Sequence, residues 1–151
     1  MEIYLADELA TLDLGKQLAQ LCPDQQFTIH LEGDLGAGKT TLSRALIQQL
    51  GHTGKVKSPT YTLVERYDLT DKLVFHFDLY RLSDPEELDF LGLDDYLGQN
   101  ALCLIEWAKQ GGSYLPDPDL TLTLCYQDQG RRATFSAHST AGQMLYNNLD
   151  K

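Results

Sequence analysis

The sequence feature that most constrains this chain lies at residues 33–40, which read Gly-Asp-Leu-Gly-Ala-Gly-Lys-Thr. They match the pattern G-x-x-x-x-G-K-[ST], in which a glycine-rich turn points several backbone N–H groups at one phosphate. The preceding residues 27–31 alternate and are rich in β-forming side chains, and apolar residues recur at helical spacing over 42–50. Strand, glycine turn and helix is the context that this pattern needs. A plain turn without a ligand would leave Lys39 and Thr40 unexplained.

The turn and the start of the following helix predict a binding segment for a nucleotide. In such a segment the lysine, here Lys39, reaches the β- and γ-phosphates, and the hydroxyl of Thr40 ligates Mg²⁺. The chain contains no Asn-Lys-x-Asp segment of the kind that reads guanine, so we expect ATP and Mg²⁺ as the cofactors. The predicted nucleotide-binding residues are Gly33, Asp34, Leu35, Gly36, Ala37, Gly38, Lys39, Thr40 and Thr41.

Length and composition predict one folded domain spanning residues 1–151. Of its 151 residues, 42% are hydrophobic and 23% are charged, as in ordinary globular proteins. No run of 18 apolar residues suits a membrane span, and the first residues lack the basic region of a signal peptide. The three cysteines are odd in number and widely spaced, which favours reduced thiols and a cytoplasmic location without membrane contact.

The charge of the chain bears on its partners. The formal net charge is −10, and an acidic surface repels phosphate backbones. We therefore expect no DNA binding, and contact with any other nucleic acid only indirectly, through recruitment by a protein partner. A small basic patch of Arg44, Lys55 and Lys57 is the one candidate exception.

Hydrophobic periodicity and turn signals predict an α/β fold with a mixed sheet. We expect a P-loop NTPase-like arrangement of three layers, α/β/α, in which a parallel core carries antiparallel hairpins. The second antiparallel pair is expected at the sheet edge. The predicted elements are a helix at 8–21 capped by Asp7, a hairpin of strands 60–67 and 73–77, a buried strand at 101–105, a second pair at 120–124 and 132–137, and a helix at 140–149.

Two apolar strands end in an acid, Asp78 in one and Glu106 in the other. In an open α/β sheet the ligand lies beyond the carboxyl ends of the parallel strands, so either acid can face the phosphates and hold Mg²⁺ or its waters. A carboxylate in the solvated loop after a strand is the alternative for each. Residues 58–62, Ser-Pro-Thr-Tyr-Thr, are either a plain turn or a mobile loop whose hydroxyl senses the γ-phosphate.

Four segments together resemble the bacterial TsaE (YjeE) family of ATPases, which support the threonylcarbamoyladenosine modification of tRNA. They are residues 31–42 around the glycine turn, 58–64 with Ser-Pro-Thr, 76–82 with His-x-Asp-x-Tyr-Arg, and 105–107 with Ile-Glu-Trp. The resemblance covers essentially the whole chain. It implies a Mg²⁺-dependent ATP hydrolase of low intrinsic activity that works with two partners, TsaB and TsaD.

The resemblance also implies roles for individual residues. Carried over by motif, Lys39, Asp78 and Glu106 are catalytic, with Glu106 near the metal beside Thr40 and Asp78 helping hydrolysis. The switch-like loop corresponds to Ser58 and Thr60, and Trp107 lies next to the site. Tyr80 and Arg81 belong to the motif, and either a partner-facing or a nucleotide-facing role suits them. Ala108 follows the tryptophan where the family often has proline, a small change of the backbone.

Two other classes remain open from the residues alone. In a small-molecule kinase of similar size, Asp78 would take the proton of an acceptor hydroxyl, although no arginine-rich lid segment is evident. In a nucleotide-dependent binding module, an order–disorder switch rather than turnover would be the output.

Overall fold

The computed structural model describes residues 1–97 and 100–149. Residues 98–99 and 150–151, which the single-domain prediction includes, lie outside the described part. The described strands are β1 (Glu2–Leu5), β2 (Phe27–Gly33), β3 (Val64–Asp68), β4 (Leu73–Asp78), β5 (Leu102–Glu106), β6 (Leu120–Gln127) and β7 (Gly130–Ala137). The helices are α1 (Glu8–Leu21), α2 (Lys39–Gln49), α3 (Glu87–Phe90), α4 (Leu93–Leu97) and α5 (Thr140–Asn148), with a 3₁₀ segment at Ala108–Tyr114.

All seven of these strands form one sheet, in the order β1-β7-β6-β2-β5-β4-β3. Strand β2 pairs in parallel with both β5 and β6, and β4 pairs in parallel with β5. The pairs β3–β4, β6–β7 and β1–β7 are antiparallel. The predicted mixed sheet, with a parallel core and antiparallel hairpins, is confirmed.

Helices cover both faces of the sheet. Helices α1, α2 and α5 share one apolar cluster with the inward residues of β2, such as Ile29 and Leu31. Residues of α3, α4 and the 3₁₀ segment share a second cluster with Phe75, Phe77 and Ile105. Side chains alternate between the faces of a strand, so β4 and β5 contribute to both clusters. The three layers predicted from the sequence are therefore present, although the second helical layer consists of short elements.

The boundaries of α1 follow the sequence signals. Asp7 lies in an extended conformation, and its carboxylate accepts a hydrogen bond from the N–H of Ala10 at 3.0 Å. This contact satisfies one of the backbone donors that a helix start leaves unpaired. None of the helices in the described ranges is long and apolar enough to cross a lipid bilayer.

Two sequence-based predictions of strands are wrong. The strand expected from Thr60 begins only at Val64, because the N–H of Leu63 bonds the carbonyl of Pro59 and Leu63 has φ of 69°. Residues 60–63 are therefore a turn. The pair β6–β7 is also not the edge of the sheet, because β6 lies against β2 and β1 covers β7. Strand β1, whose side chains at Ile3 and Leu5 face inward more than those of Glu2 and Tyr4, was not predicted.

Candidate functional site

The glycine turn lies where β2 ends and α2 begins, packed closely against β6. Gly33 has φ of 139°, and a Cβ at this position would lie 2.3 Å from the carbonyl oxygen of Leu124. Gly38, with φ of 110°, is the N-cap residue of α2. Both conformations are ones that residues with side chains rarely adopt. The turn therefore brings the N-terminal end of α2, with its unpaired N–H groups and positive dipole end, to the carboxyl ends of the parallel strands.

The hairpin of β6 and β7 braces the turn from outside. The hydroxyl of Tyr126 donates a hydrogen bond to the carbonyl of Leu35 at 3.3 Å. The guanidinium of Arg131 lies 4.1 Å from the centre of the Tyr126 ring. A Cβ at Gly36 would come within 2.9 Å of the Tyr126 hydroxyl. The shape of the turn thus depends on a hairpin whose Tyr126 lies 91 residues further along the chain than Leu35, a contact that the sequence did not predict.

Lys39 is the cation of the site and is 5% exposed. Its ammonium donates to the carbonyl of Gly33 and lies 3.8 Å from the centre of the Trp107 ring. Burial lowers the pKa of Lys39, whereas the charges of Glu106, Asp78 and Asp34 act in the opposite direction. A buried ammonium with so few fixed partners is ready to bind an anion.

Thr40 and Glu106 lie side by side at the ends of α2 and β5. The hydroxyl of Thr40 is 3.3 Å from Oε1 of Glu106, which is 2% exposed. The other carboxylate oxygen, Oε2, is 2.6 Å from Nε2 of the fully buried His76. An alcohol and a carboxylate are the oxygen donors that Mg²⁺ accepts together with waters and substrate phosphates, so the donor set fits this ion. Within residues 1–97 and 100–149, no three His, Cys, Asp or Glu side chains lie together as a metal site. The remaining ligands of Mg²⁺ would therefore come from waters and from the phosphates of a bound nucleotide.

Asp78 lies opposite Glu106 in the register of β4 and β5. One of its oxygens accepts the N–H of Tyr80 at 3.0 Å, and the other accepts the hydroxyl of Thr60 at 3.4 Å. Burial raises the pKa of Asp78, and the negative charge of Glu106 adds to the increase, while the bonds from Tyr80 and Thr60 oppose it. A carboxylate held in this way, with a raised pKa, suits work on a proton.

The loop predicted as switch-like reaches this carboxylate through its hydroxyls. Ser58 and Thr60 are joined by a hydrogen bond of 2.7 Å between their side-chain oxygens, and Thr60 in turn contacts Asp78. Ser58 itself is exposed. Any displacement of the loop therefore changes the surroundings of Asp78.

The motif residues of undetermined role line the mouth of the site. The rings of Tyr80 and Trp107 are 4.9 Å apart. The guanidinium of Arg81 lies 4.7 Å from the centre of the Tyr61 ring, which is 82% exposed. Trp107 adopts φ of 58° directly after β5, a turn that directs its ring over Lys39.

Two clefts meet at the glycine turn. The first has a volume of about 320 Å³ and brings together twelve residues, all of them singled out from the sequence: Leu35, Gly36, Gly38, Lys39, Thr40, Thr41, Thr60, Asp78, Tyr80, Arg81, Glu106 and Trp107. The second, of about 260 Å³, lies between the start of α1 and the end of the β6–β7 hairpin, and Gly36, Gly38 and Thr41 line it as well. Gly33 and Asp34 line a third cavity, on the Trp107 side of Lys39.

The sequence motif includes His76 but gave it no role at the site, and Tyr126 and Arg131 were not singled out from the sequence. A signal existed for His76, because Val74, His76 and Asp78 share one face of β4 and Asp78 was already a candidate. No comparable local signal marks Tyr126 or Arg131, because their contacts with the turn depend on the order of strands in the sheet.

A glycine turn between β2 and α2, with two strand-end carboxylates beside it, defines an α/β protein of the P-loop class. The family profile described as "Threonylcarbamoyl adenosine biosynthesis protein TsaE" matches residues 5–134. This chain therefore belongs to the TsaE family, as the motifs predicted.

Individual relatives agree with this assignment. The tRNA threonylcarbamoyladenosine biosynthesis protein TsaE of Haemophilus influenzae is 45% identical over 146 residues, which cover 94% of this chain and 92% of that protein. The protein of the same name from Bacillus subtilis is 38% identical over 122 residues, covering 80% and 76%. The crystal structure of YdiB from Bacillus subtilis superimposes with a TM-score of 0.82 at 30% identity, covering 97% of this chain and 91% of that one.

Proposed function

We propose that this chain is a Mg²⁺-dependent ATPase that acts with TsaB and TsaD in the threonylcarbamoyladenosine modification of tRNA. The observation that carries the proposal is the convergence of Lys39, Thr40, Asp78 and Glu106 on one cleft beside the glycine turn. The names of the relatives, which are tRNA threonylcarbamoyladenosine biosynthesis proteins, support the pathway. The three free cysteines are compatible with a reducing cytoplasm, where we expect the protein to act.

The two clefts suit the two ends of a nucleotide. The phosphates lie along the glycine turn, against the N–H groups at the start of α2. The γ-phosphate then enters the cleft with Asp78 and Glu106, and the nucleoside enters the second cleft, between the start of α1 and the hairpin end. In that cleft Glu8 offers an acceptor for hydroxyl or amino groups, and Arg131 offers a flat cation.

Hydrolysis requires that negative charge on the transferred phosphoryl group be absorbed and that a water molecule be oriented. The ammonium of Lys39 leaves the carbonyl of Gly33 and bonds the β- and γ-phosphate oxygens, joined by the N–H groups of the turn. Asp78 accepts a hydrogen bond from the attacking water and takes its proton as the bond from the γ-phosphorus to the ADP oxygen breaks. Thr40 and Glu106 would hold Mg²⁺, which would supply positive charge to neutralise the phosphates.

Slow turnover by the isolated chain follows from the position of the arginines. Arg81 is the arginine that lines the cleft of the two acids, and its guanidinium lies 4.7 Å from the centre of the exposed Tyr61 ring, which holds it at the mouth of the cleft. An arginine at the transferred phosphoryl group contributes a factor of about 10³ to 10⁵ to turnover. A partner that moves Arg81, or that supplies its own cation, would therefore raise the rate.

The test is ATP hydrolysis by the purified chain, first alone and then with TsaB and TsaD. We expect Mg²⁺-dependent hydrolysis that is slow alone and faster with the partners. A rate of hydrolysis that does not change when TsaB and TsaD are added, together with an absence of binding to them, would contradict the proposal. ATP consumption that requires an added small alcohol or acid would instead identify a kinase, and partner binding that follows ATP over ADP without turnover would identify a binding module.

A further inference from the structure

Among the residues that the structure describes, His76 is the fully buried ionisable side chain in contact with the candidate metal site. Its exposure is 0%, and its Nε2 lies 2.6 Å from Oε2 of Glu106. An ionised carboxylate only accepts hydrogen bonds, so Nε2 of His76 carries the proton and donates it. Bonds of this kind to a charged acceptor are shorter and stronger than those between neutral groups.

The register of the sheet fixes this contact. Strands β4 and β5 run in parallel with Asp78 opposite Glu106 and His76 opposite Leu104. Since side chains alternate, His76 and Asp78 project from the same face of β4, with His76 one pleat deeper. His76 therefore approaches Glu106 from the core, whereas Thr40 approaches from the N-terminal end of α2, with its hydroxyl 3.3 Å from Oε1 and 3.5 Å from Oε2.

Packing alone does not account for a histidine at this position. The next residue inward on the same face, Val74, is apolar and fully buried. Nδ1 of His76 is buried and has no hydrogen-bond partner in the part of the chain that the structure describes. An unpaired buried polar atom destabilises the folded protein, and an apolar side chain would avoid that penalty. What the imidazole adds is its bond to Glu106.

We propose that His76 is a positioning residue that holds the carboxylate of Glu106 so that Oε1 faces Thr40 and the Mg²⁺ of a bound Mg²⁺–nucleotide complex. The inference rests on the proposed function and names a residue that acts through Glu106 without touching the nucleotide. Groups that orient metal ligands from behind typically change metal affinity by about 10- to 100-fold when they are removed.

Without this bond, Glu106 has a competing partner. The negative charge of Glu106 already acts on Lys39. A carboxylate free to rotate in a site from which water is largely excluded pairs with the nearest cation. Such a pair would remove Glu106 from the metal site and compete for the lysine that binds phosphate.

Two variants separate positioning from packing. His76→Leu introduces an apolar side chain of similar size and removes the hydrogen-bond donor. His76→Gln places an amide N–H at nearly the same distance from the backbone as Nε2 of His76. The measurement is calorimetric binding of a non-hydrolysable ATP analogue, once with Mg²⁺ titrated and once in EDTA. We expect His76→Leu to weaken the Mg²⁺ contribution by about 10- to 100-fold, and His76→Gln to restore most of it. In EDTA the loss of affinity for His76→Leu should be smaller than with Mg²⁺, because only the competition of Glu106 for Lys39 remains, and His76→Gln should bind like the unaltered protein.

The outcomes distinguish this inference from the proposed function. If the unaltered protein binds no nucleotide in either condition, the proposed function fails. If it binds with a Mg²⁺ contribution that His76→Leu leaves unchanged, or that both variants reduce equally, the positioning role is overturned. Should His76→Leu not fold, as judged by its thermal unfolding, His76→Asn takes its place, because its shorter amide does not reach Glu106 and the same loss of the Mg²⁺ contribution is expected.

Discussion

Lys39 supplies the positive charge of the site, because its ammonium is almost fully buried and, within the described residues, contacts the carbonyl of Gly33 and the ring of Trp107. We expect Lys39→Ala to reduce ATP hydrolysis by about 100- to 1000-fold, the usual cost of losing one donor to the charge that develops in the transition state. The measurement is release of inorganic phosphate in the presence of TsaB and TsaD. Lys55→Ala, which removes an exposed lysine of the loop after α2, is the control and should leave the rate unchanged. Turnover of Lys39→Ala at the rate of the unaltered protein would remove the P-loop from the mechanism.

Asp78 gives hydrolysis a dependence on pH whose sign follows from its surroundings. Burial raises the pKa of this carboxyl group, so Asp78 is protonated at pH values where an exposed aspartate is already ionised. Only the ionised form can take a proton from water. We therefore expect kcat to fall as the pH decreases through this raised pKa, and the fall to begin at a higher pH than a surface aspartate would give.

The variant Asp78→Asn tests that assignment. It should lower kcat by about 10²- to 10⁴-fold, abolish the acid-side fall and leave ATP affinity little changed. The matched control is Asp71→Asn, since Asp71 is exposed in the turn between β3 and β4. An acid-side fall that survives in Asp78→Asn would assign the titrating group elsewhere.

At the scale of elements, helices α1 and α2 approach each other closely because α1 has a glycine at their contact. A Cβ at Gly15 would lie 2.7 Å from the carbonyl oxygen of Leu42 and 2.9 Å from the Cβ of Ala45. We expect Gly15→Ala to lower the free energy of unfolding by about 1–3 kcal/mol through overpacking, even though alanine favours a helix by about 1 kcal/mol over glycine.

Chemical denaturation measures this change, with Lys16→Ala as the control on the exposed face of α1. The variant Gly15→Ala should also weaken nucleotide binding, since α2 carries Lys39 and Thr40 at its first turn. A more stable Gly15→Ala protein would mean that the two helices separate without cost.

Elements whose bounds are set by a cap residue or a glycine turn were predictable from the sequence. Elements whose conformation depends on contacts with other parts of the chain were not. The N-cap at Asp7 and the glycine turn at residues 33–40 fixed the start of α1 and the junction of β2 and α2. Residues 60–63 have β-forming side chains, but the bond from Leu63 to Pro59 makes them a turn. Four residues of β1 were too few for a periodic signal, and pairing with β7 makes them a strand.

The candidate site divides in the same way. The glycine turn and the strand-end acids Asp78 and Glu106 were predictable, because parallel strands bring their carboxyl ends to one edge. The contact between His76 and Glu106 depends on the register of β4 and β5, and the contact between Tyr126 and Leu35 on the place of β6 beside β2. Neither the register of β4 and β5 nor the position of β6 beside β2 can be predicted from a local sequence pattern.

At the scale of the whole molecule, the acidic balance restricts how the protein can meet tRNA. The net charge is −10, and nucleic-acid affinity is dominated by the release of counterions when lysine and arginine neutralise phosphates. The candidate patch of Arg44, Lys55 and Lys57 is exposed, but three cations neutralise too few phosphates for stable binding at physiological salt. We therefore expect tRNA to reach this protein through TsaB and TsaD.

Filter binding of labelled tRNA, with the chain alone and with TsaB and TsaD, tests this expectation. The isolated chain should bind more weakly than about 10⁻⁴ M at physiological salt, the weak end of non-specific binding, and the double variant Lys55→Glu/Lys57→Glu should behave like the unaltered protein. The partners should retain tRNA whether or not the patch is altered. Binding by the isolated chain that weakens steeply with salt and disappears in the double variant would contradict the expectation, because it would show that a local patch outweighs the charge of the whole molecule.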